Sequence, residues 1–192
     1  MADKVGIANQ ALKLCGASRI TSFEDDTPEG ESIRTFYGSS KETVLAAFPW
    51  YCAKERASLA ASPAAPVFGF SYEYALPDGF LNVVELKGYG PYDDWSREGN
   101  KFLSNQAGPL QIVYTTNVAE SLMTPDLVKA LAAYLGAELA LDLMESSSRH
   151  DNLMQRYTMA LDQAQMNNSR SRRTQQIMPV GHFRSARNMG AG

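Results

Sequence analysis

The sequence predicts an α+β fold, in which an antiparallel helical bundle from both chain ends carries an inserted small antiparallel β region and an extended C-terminal tail. Apolar residues recur at the spacing of one helix face near both ends of the chain, whereas proline, glycine and short alternating runs characterise the middle. After residue 167 this pattern is replaced by Asn, Ser, Arg, Gln and Gly. We therefore assign 1–55 and 119–168 to the helical bundle, 56–118 to the β insertion and 169–192 to an extended basic tail.

The N-terminal part is predicted to hold two helices. The first covers residues 3–15, and Gly16 suits its C-terminal end because glycine readily adopts the left-handed conformation. The second begins at Pro28, a favourable first helical residue, behind Thr27 as the N-cap. Pro49 ends this helix, because the residue before a proline is disfavoured in the helical conformation.

Strands are predicted in the middle of the chain. Residues 70–76 alternate between large apolar and other side chains, and residues 80–86 and 110–118 are further strand candidates. Residues 97–101 have the composition of a hairpin turn. These segments predict one small antiparallel sheet of roughly four to six strands.

Helices return in the C-terminal part. Pro125 begins a helix over 125–144, which is apolar nearly all round and is therefore expected to be buried on more than one side. Its second face holds small residues that would let another helix approach closely: Ala133, Gly136, Ala137 and Ala140. We expect this face to be a contact surface of the protein. The last helix is predicted over 148–167, beginning at the capping box Ser148-x-x-Asp151.

Charge is distributed unevenly along the 192 residues. The net charge is −3, and segment 169–192 has five arginines and no acid, so the remaining residues together carry −8. An acidic body with a basic tail indicates that the tail is an interaction segment. The first residues lack the basic-then-apolar pattern of a signal peptide, and 125–144 holds too many charges for a lipid-facing helix. Synthesis in a cytosol and no membrane partner are therefore expected.

No residue pattern indicates catalysis or metal binding. His150 and His182, the two histidines, have no neighbours at ligand spacing. Asp25 and Asp26 could hold a metal or exchange a proton, but adjacent acids before a helix more often complement the helix dipole. We therefore expect a protein that is not an enzyme and that uses no cofactor or metal.

The aromatic residues form two groups. Trp50, Tyr72 and Tyr74 are expected to fill the core under the sheet, as their alternation indicates for the strand. The second group lies between glycine and proline in a predicted loop and consists of Tyr89, Tyr92 and Trp95. These three are the better candidates for exposed contact, with a protein partner or with nucleic-acid bases.

Seven short motifs occur in order along residues 3–166. They are Ala8-Asn9-x-Ala11-Leu12-x-x-x-Gly16, Ile20-x-Ser22-Phe23-x-Asp25, Tyr37 through Val44-Leu45 to Pro49-Trp50, Ala53-x-x-Arg56-x-x-Leu59-Ala60, Tyr72-x-Tyr74-x-Leu76-Pro77-x-x-Phe80-Leu81, Gln111-x-x-Tyr114 and Ala130-Leu131-x-x-Tyr134-Leu135-x-x-Glu138-Leu139-Ala140. In this order they resemble the tail tubular protein A family, which forms the tail adaptor, or head-to-tail connector, of short-tailed bacteriophages.

The resemblance implies a structural virion protein, located at the junction of head and tail and assembled in the host cytoplasm. It implies a homo-oligomeric ring, expected to be a dodecamer, that binds the portal protein on one side and the tail nozzle protein on the other. Genomic DNA would pass through the lumen without sequence-specific binding. An acidic body is compatible with this passage, because like charges repel the DNA phosphates.

The resemblance also locates the expected contacts. The portal-facing element of the family is C-terminal, which places portal binding on residues of the basic tail. These are Arg170, Arg172, Arg173, Ile177, Met178, Phe183, Arg184 and Arg187. Contact with the nozzle or with a neighbouring subunit would then fall on Tyr89, Tyr92 and Trp95.

Two other functions remain open from the residues. The arginine-rich tail and the loop aromatics could make the chain a nucleic-acid-binding accessory protein. Asp25 and Asp26 could instead form the carboxylate site of a small enzyme, although no supporting motif accompanies them.

Overall fold

The computed structural model describes residues 2–90 and 94–170. Within these ranges the α-helices are α1 (Lys4–Cys15), α2 (Pro28–Ala46), α3 (Pro125–Asp142) and α4 (Ser147–Arg170). The strands are β1 (Lys54–Leu59), β2 (Tyr72–Ala75), β3 (Phe80–Leu86), β4 (Trp95–Glu98), β5 (Lys101–Ser104) and β6 (Leu110–Thr116). Single 3₁₀ turns at Tyr51–Ala53 and Glu120–Leu122 join the helical and β parts.

The prediction of an antiparallel helical bundle from both chain ends with one small β insertion is wrong. The described helices are internal to the chain, and the strands form two separate three-stranded antiparallel sheets. α3 packs against α1, α2 and α4, whereas α1 and α2 scarcely touch each other. Apolar periodicity shows which face of a helix is buried, but it does not show which helix becomes the centre of the packing.

Local signals set the ends of the first two helices. Asp3 Oδ1 accepts a hydrogen bond of 3.1 Å from the Gly6 N–H at the start of α1, and Gly16 ends this helix with a φ of 90°. Thr27 Oγ1 accepts a hydrogen bond of 3.1 Å from the Gly30 N–H, so the predicted N-cap of α2 is confirmed. Each of these caps satisfies a backbone N–H or C=O that the helix itself leaves without a partner.

The small-residue face of α3 is covered inside the subunit. A Cβ atom placed on Gly136 would lie 3.2 Å from the Ala11 carbonyl oxygen of α1 and 3.6 Å from Leu153 of α4. Ala133, Ala137 and Ala140 are fully buried in the same core. The prediction that this face is a contact surface of the protein is therefore wrong, because the chain's own helices occupy it.

The two sheets face each other across a second apolar core. β6 is the central strand of the sheet ordered β1-β6-β3, and β5 is central in the sheet ordered β2-β5-β4. The Phe80 ring stacks on Tyr114 with centroids 5.7 Å apart and meets Phe102 edge-on at 5.9 Å, which joins the two sheets. Tyr74 is fully buried in this core, as predicted, whereas Tyr72 is half-buried.

Trp50 does not lie under the sheet, contrary to the prediction. It belongs to the helical core, where its indole Nε1 donates a hydrogen bond of 3.0 Å to the Val44 carbonyl. Ala53 and Val118 join the same core from outside the helices. The connections between helices and strands therefore help to close the core around α3.

α4 begins and ends differently from the sequence prediction. Ser146 Oγ accepts a hydrogen bond of 3.4 Å from the Arg149 N–H, so the cap lies two residues before the predicted Ser148. The carboxylate of Asp151 instead lies 3.1 Å from Nδ1 of its neighbour His150. The helix continues to Arg170, three residues beyond its predicted end.

Candidate interaction surfaces

Two asparagines fix the C-terminal end of α4 to the body of the protein. Asn168 is 6% exposed, and its Oδ1 accepts a hydrogen bond of 2.8 Å from the Tyr51 backbone N–H. Asn167 Nδ2 donates to Asp126 Oδ2 at 2.7 Å. Both contacts join α4 to segments far away in sequence, so they set the point from which the chain continues beyond Arg170. Sequence reasoning missed this role, because the polar residues after 166 have the composition of a tail.

Only the first residue of the predicted portal-binding set belongs to the described part of the chain. Arg170 is exposed at the end of α4. The others lie outside the described residues: Arg172, Arg173, Ile177, Met178, Phe183, Arg184 and Arg187. Their role in portal binding stays a prediction.

A groove of about 480 Å³ lies beside this end of α4, and we call it the α4 groove. Its lining consists of Phe48, Asp162, Gln165, Met166, Ser169 and Arg170. Phe48 and the 57% exposed Met166 supply the large apolar part of the lining. One acid and one base, Asp162 and Arg170, balance each other in charge. The groove can therefore receive an uncharged apolar group.

The most exposed large apolar side chains of the described residues lie in the loop between β1 and β2. Val67 is 96% exposed and Phe68 is 86% exposed. We call residues 63–70 the apolar tip. Sequence reasoning read its prolines and glycine as punctuation between strands and overlooked the Val-Phe pair. The available signal was the absence of any charged residue from 57 to 72, around two adjacent large apolar side chains.

The aromatic residues of the predicted loop differ in how far they are buried. The Tyr89 hydroxyl shares a hydrogen bond with Ser104 Oγ, and its half-buried ring packs on the core between the sheets. Trp95 begins β4, where its ring packs on Phe102 with centroids 5.3 Å apart and its side chain remains 41% exposed. Tyr92 lies outside the described residues. Of the two described members, Trp95 offers more open surface to a partner.

A second groove, of about 650 Å³, is basic. Lys13, Arg149 and Arg156 lie in its lining, which contains no acidic side chain. Arg149 also has a structural task, because its Nη1 donates a hydrogen bond to the Cys15 carbonyl at the end of α1. A cation at a helix C-terminus satisfies a free carbonyl and complements the helix dipole.

A partly buried ion pair joins α2 to the turn before α3. Lys41 Nζ is 3.0 Å from Glu120 Oε1, and the Tyr37 hydroxyl donates to the same oxygen at 3.2 Å. Burial works to raise the pKa of Glu120, but its own backbone N–H and these two donors hold the pKa below the ordinary value. Burial and the Glu120 carboxylate raise the pKa of Tyr37. The group is tightly hydrogen-bonded and links two segments of the fold, which is a stabilising role.

In the carboxylate pair Asp25 and Asp26, considered above as a possible enzyme site, one residue has a structural role. Asp25 accepts hydrogen bonds from the Thr21 backbone N–H at 2.6 Å and from the Thr21 hydroxyl at 3.0 Å. These bonds hold the pKa of Asp25 below its ordinary value. Asp26 is exposed beside it. Across residues 2–90 and 94–170, no cluster of three or more His, Cys, Asp or Glu side chains has metal-binding geometry.

Among the described helices, none combines the length and the apolar character needed to cross a bilayer. Comparison with protein-family models and with curated proteins returned no match.

Proposed function

We propose that the protein is a structural virion subunit that forms an adaptor ring between the portal and the tail nozzle of a short-tailed bacteriophage. The resemblance of the seven ordered motifs supports this role. The structural observation that carries the proposal is the fixed end of α4. Asn167 donates a hydrogen bond to Asp126 and Asn168 accepts one from the Tyr51 N–H, which holds this end against the body. An arginine-rich segment with an apolar cluster follows it in the sequence.

A rigid exit point matters for an adaptor. The 24 residues of α4 extend over roughly 36 Å at 1.5 Å per residue, and the hydrogen bond with Tyr51 places the end of this helix beside the turn that precedes β1. A binding segment loses less conformational entropy on binding when its starting point is already fixed. The four arginines after Arg170 suit an acidic partner surface, and the cluster around Ile177 and Phe183 supplies an apolar anchor.

The test is removal of residues 171–192, which leaves α4 complete. The shortened chain is expected to unfold at the same temperature as the full chain and to lose binding to the portal protein encoded by the same phage. Removal of residues 188–192 alone is the control, because it deletes no charge. Undiminished portal binding by the chain that ends at Arg170 would overturn the role of the tail.

A second candidate function is nucleic-acid binding, and the basic groove favours it. Lys13, Arg149 and Arg156 line one groove with no acid in the lining, which is a suitable composition for binding a phosphate. If the chain binds nucleic acid, we expect salt-sensitive binding of duplex DNA. The double substitution of Lys13→Glu and Arg156→Glu should weaken that binding at least tenfold. Absence of binding at roughly 0.15 M salt leaves the adaptor as the function.

A further inference from the structure

We propose that the apolar tip of one subunit inserts into the α4 groove of a second copy of this chain. The inference rests on the proposed ring, for which it names the contact between neighbours. Both halves of the contact are present on each subunit, one on the β part and the other on the helical part. The central pair in this contact is Phe68 with Met166.

The tip has the character of an inserting group. Val67 and Phe68 are adjacent, almost fully exposed, and lie between Pro66 and Gly69. Large apolar side chains exposed together mark interaction sites more often than they mark free surface. An aromatic side chain that fills a pocket at the centre of an interface commonly dominates the binding energy.

The absence of charge around the tip limits what it can bind. Residues 57–72 contain no lysine or arginine, so the tip offers nothing to a nucleic-acid phosphate or to an anionic lipid headgroup. The same stretch has no acid that would require a basic partner. An uncharged protein cavity is the surface that this chemistry fits.

The α4 groove meets that description on the same molecule. Its apolar lining comes from Phe48 and Met166. The lining also contains one acid and one base, Asp162 and Arg170, whose charges cancel. An uncharged group can therefore cover the groove without burying a net charge. The groove is an open surface concavity of about 480 Å³, which gives enough room for one aromatic side chain. Within its own subunit the tip is exposed and so does not occupy the groove.

The contact joins two different surfaces, and this has a consequence for assembly. A subunit that inserts its tip into a neighbour still has a free groove, so a third subunit can bind in the same way. Such a heterologous contact repeats until the rotation between subunits closes a ring. The tip and groove therefore provide a contact of the type that a ring of identical subunits needs.

The first test measures self-association of the full chain by sedimentation. Phe68→Asp is expected to weaken association about 10- to 100-fold, as for loss of a central aromatic anchor. Leu122→Asp is the matched control, because Leu122 is also a large exposed apolar residue but lies outside the tip and the groove, and a change of less than about twofold is expected. The contact would be overturned if the Phe68→Asp variant associated as strongly as the wild type. It would also be overturned if the wild-type chain stayed monomeric at every concentration, both with and without the portal protein.

The second test is independent of any loss of stability. Chains with Phe68→Cys and differently tagged chains with Met166→Cys are mixed and treated with a short bis-maleimide. The expected product is a cross-linked dimer that carries both tags. With Leu122→Cys in place of Met166→Cys, no cross-linked dimer is expected. The unmodified chain measures background reaction of the native thiols, of which Cys15 is buried and Cys52 is half-buried.

The two proposals fail separately in these experiments. Portal binding by the wild-type chain with no cross-link between positions 68 and 166 overturns the tip contact and leaves the adaptor role. A cross-link from a chain that never binds portal supports the tip contact and overturns the adaptor role. A chain that carries both Phe68→Cys and Met166→Cys can be cross-linked to two neighbours, so cross-linked products that stop at two subunits would support the contact and contradict the ring.

Discussion

Replacement of Asn168 by alanine should loosen the end of α4. The substitution removes the acceptor of the 2.8 Å hydrogen bond from the Tyr51 N–H, at a side chain that is 6% exposed. Loss of one partner from a partly buried hydrogen bond costs about 1–3 kcal/mol. Alanine favours the helix over asparagine by up to about 0.7 kcal/mol, which offsets part of that loss. A net destabilisation of about 1–2 kcal/mol is expected.

Urea unfolding of Asn168→Ala and Asn152→Ala measures this difference. Asn152 lies in the same helix, is exposed, and donates only to the Ser148 carbonyl one turn earlier, so its substitution isolates the gain in helix propensity. The control should be as stable as the wild type or slightly more stable. Amide exchange should accelerate at Tyr51 in Asn168→Ala alone. Equal stability of the two variants, with unchanged exchange at Tyr51, would refute the role given to Asn168.

Two further stability predictions test the interior. The folded pKa of Glu120 lies below its ordinary value of 4.5, so the ionised pair with Lys41 stabilises the fold above that pH and is lost as the pH falls below it. Lys41→Met should therefore destabilise the chain more at pH 7 than at pH 4. An equal loss of unfolding free energy at the two pH values would contradict the pairing. Gly136→Leu should destabilise by about 1–3 kcal/mol or more in thermal unfolding, because α1 must move away. Gly38→Leu is the control, since open space surrounds Gly38 in α2, and a similar loss there would contradict the packing argument.

Helix boundaries were predictable where a signal lies within a few residues. Thr27 and Thr124 each accept a hydrogen bond from an N–H three residues later, so the sequence itself contains both partners of the cap. The strand over 80–86 was likewise predicted at its observed bounds. The cap of α4 was misplaced because several serines precede that helix, and sequence alone does not say which one bonds to the backbone.

Strand pairing was not predictable from the same patterns. β1 was missed because Lys54, Glu55 and Arg56 give it a polar start, and its regular structure comes from pairing with β6, more than fifty residues later. The division into two sheets depends on which strands pair. Alternation of side chains predicts the buried face of a strand but not its neighbour.

The candidate surfaces depended on tertiary information in the same way. The spacing of small residues on α3 correctly indicated a close helix contact, but it could not tell that α1 of the same chain makes it. Exposure of Val67 and Phe68 depends on where the loop projects, which no local pattern encodes. Asn168 is polar at a position that only the fold brings to Tyr51.

The proposed adaptor role is tested most directly by the mass of the complex that the purified chain forms with the portal protein of its phage. Native mass measurement of the mixture should give one portal assembly carrying a closed ring of this chain, expected to hold twelve copies. The chain that ends at Arg170 should leave the mass of the portal assembly unchanged. Full-length protein that leaves the portal mass unchanged would contradict the adaptor role.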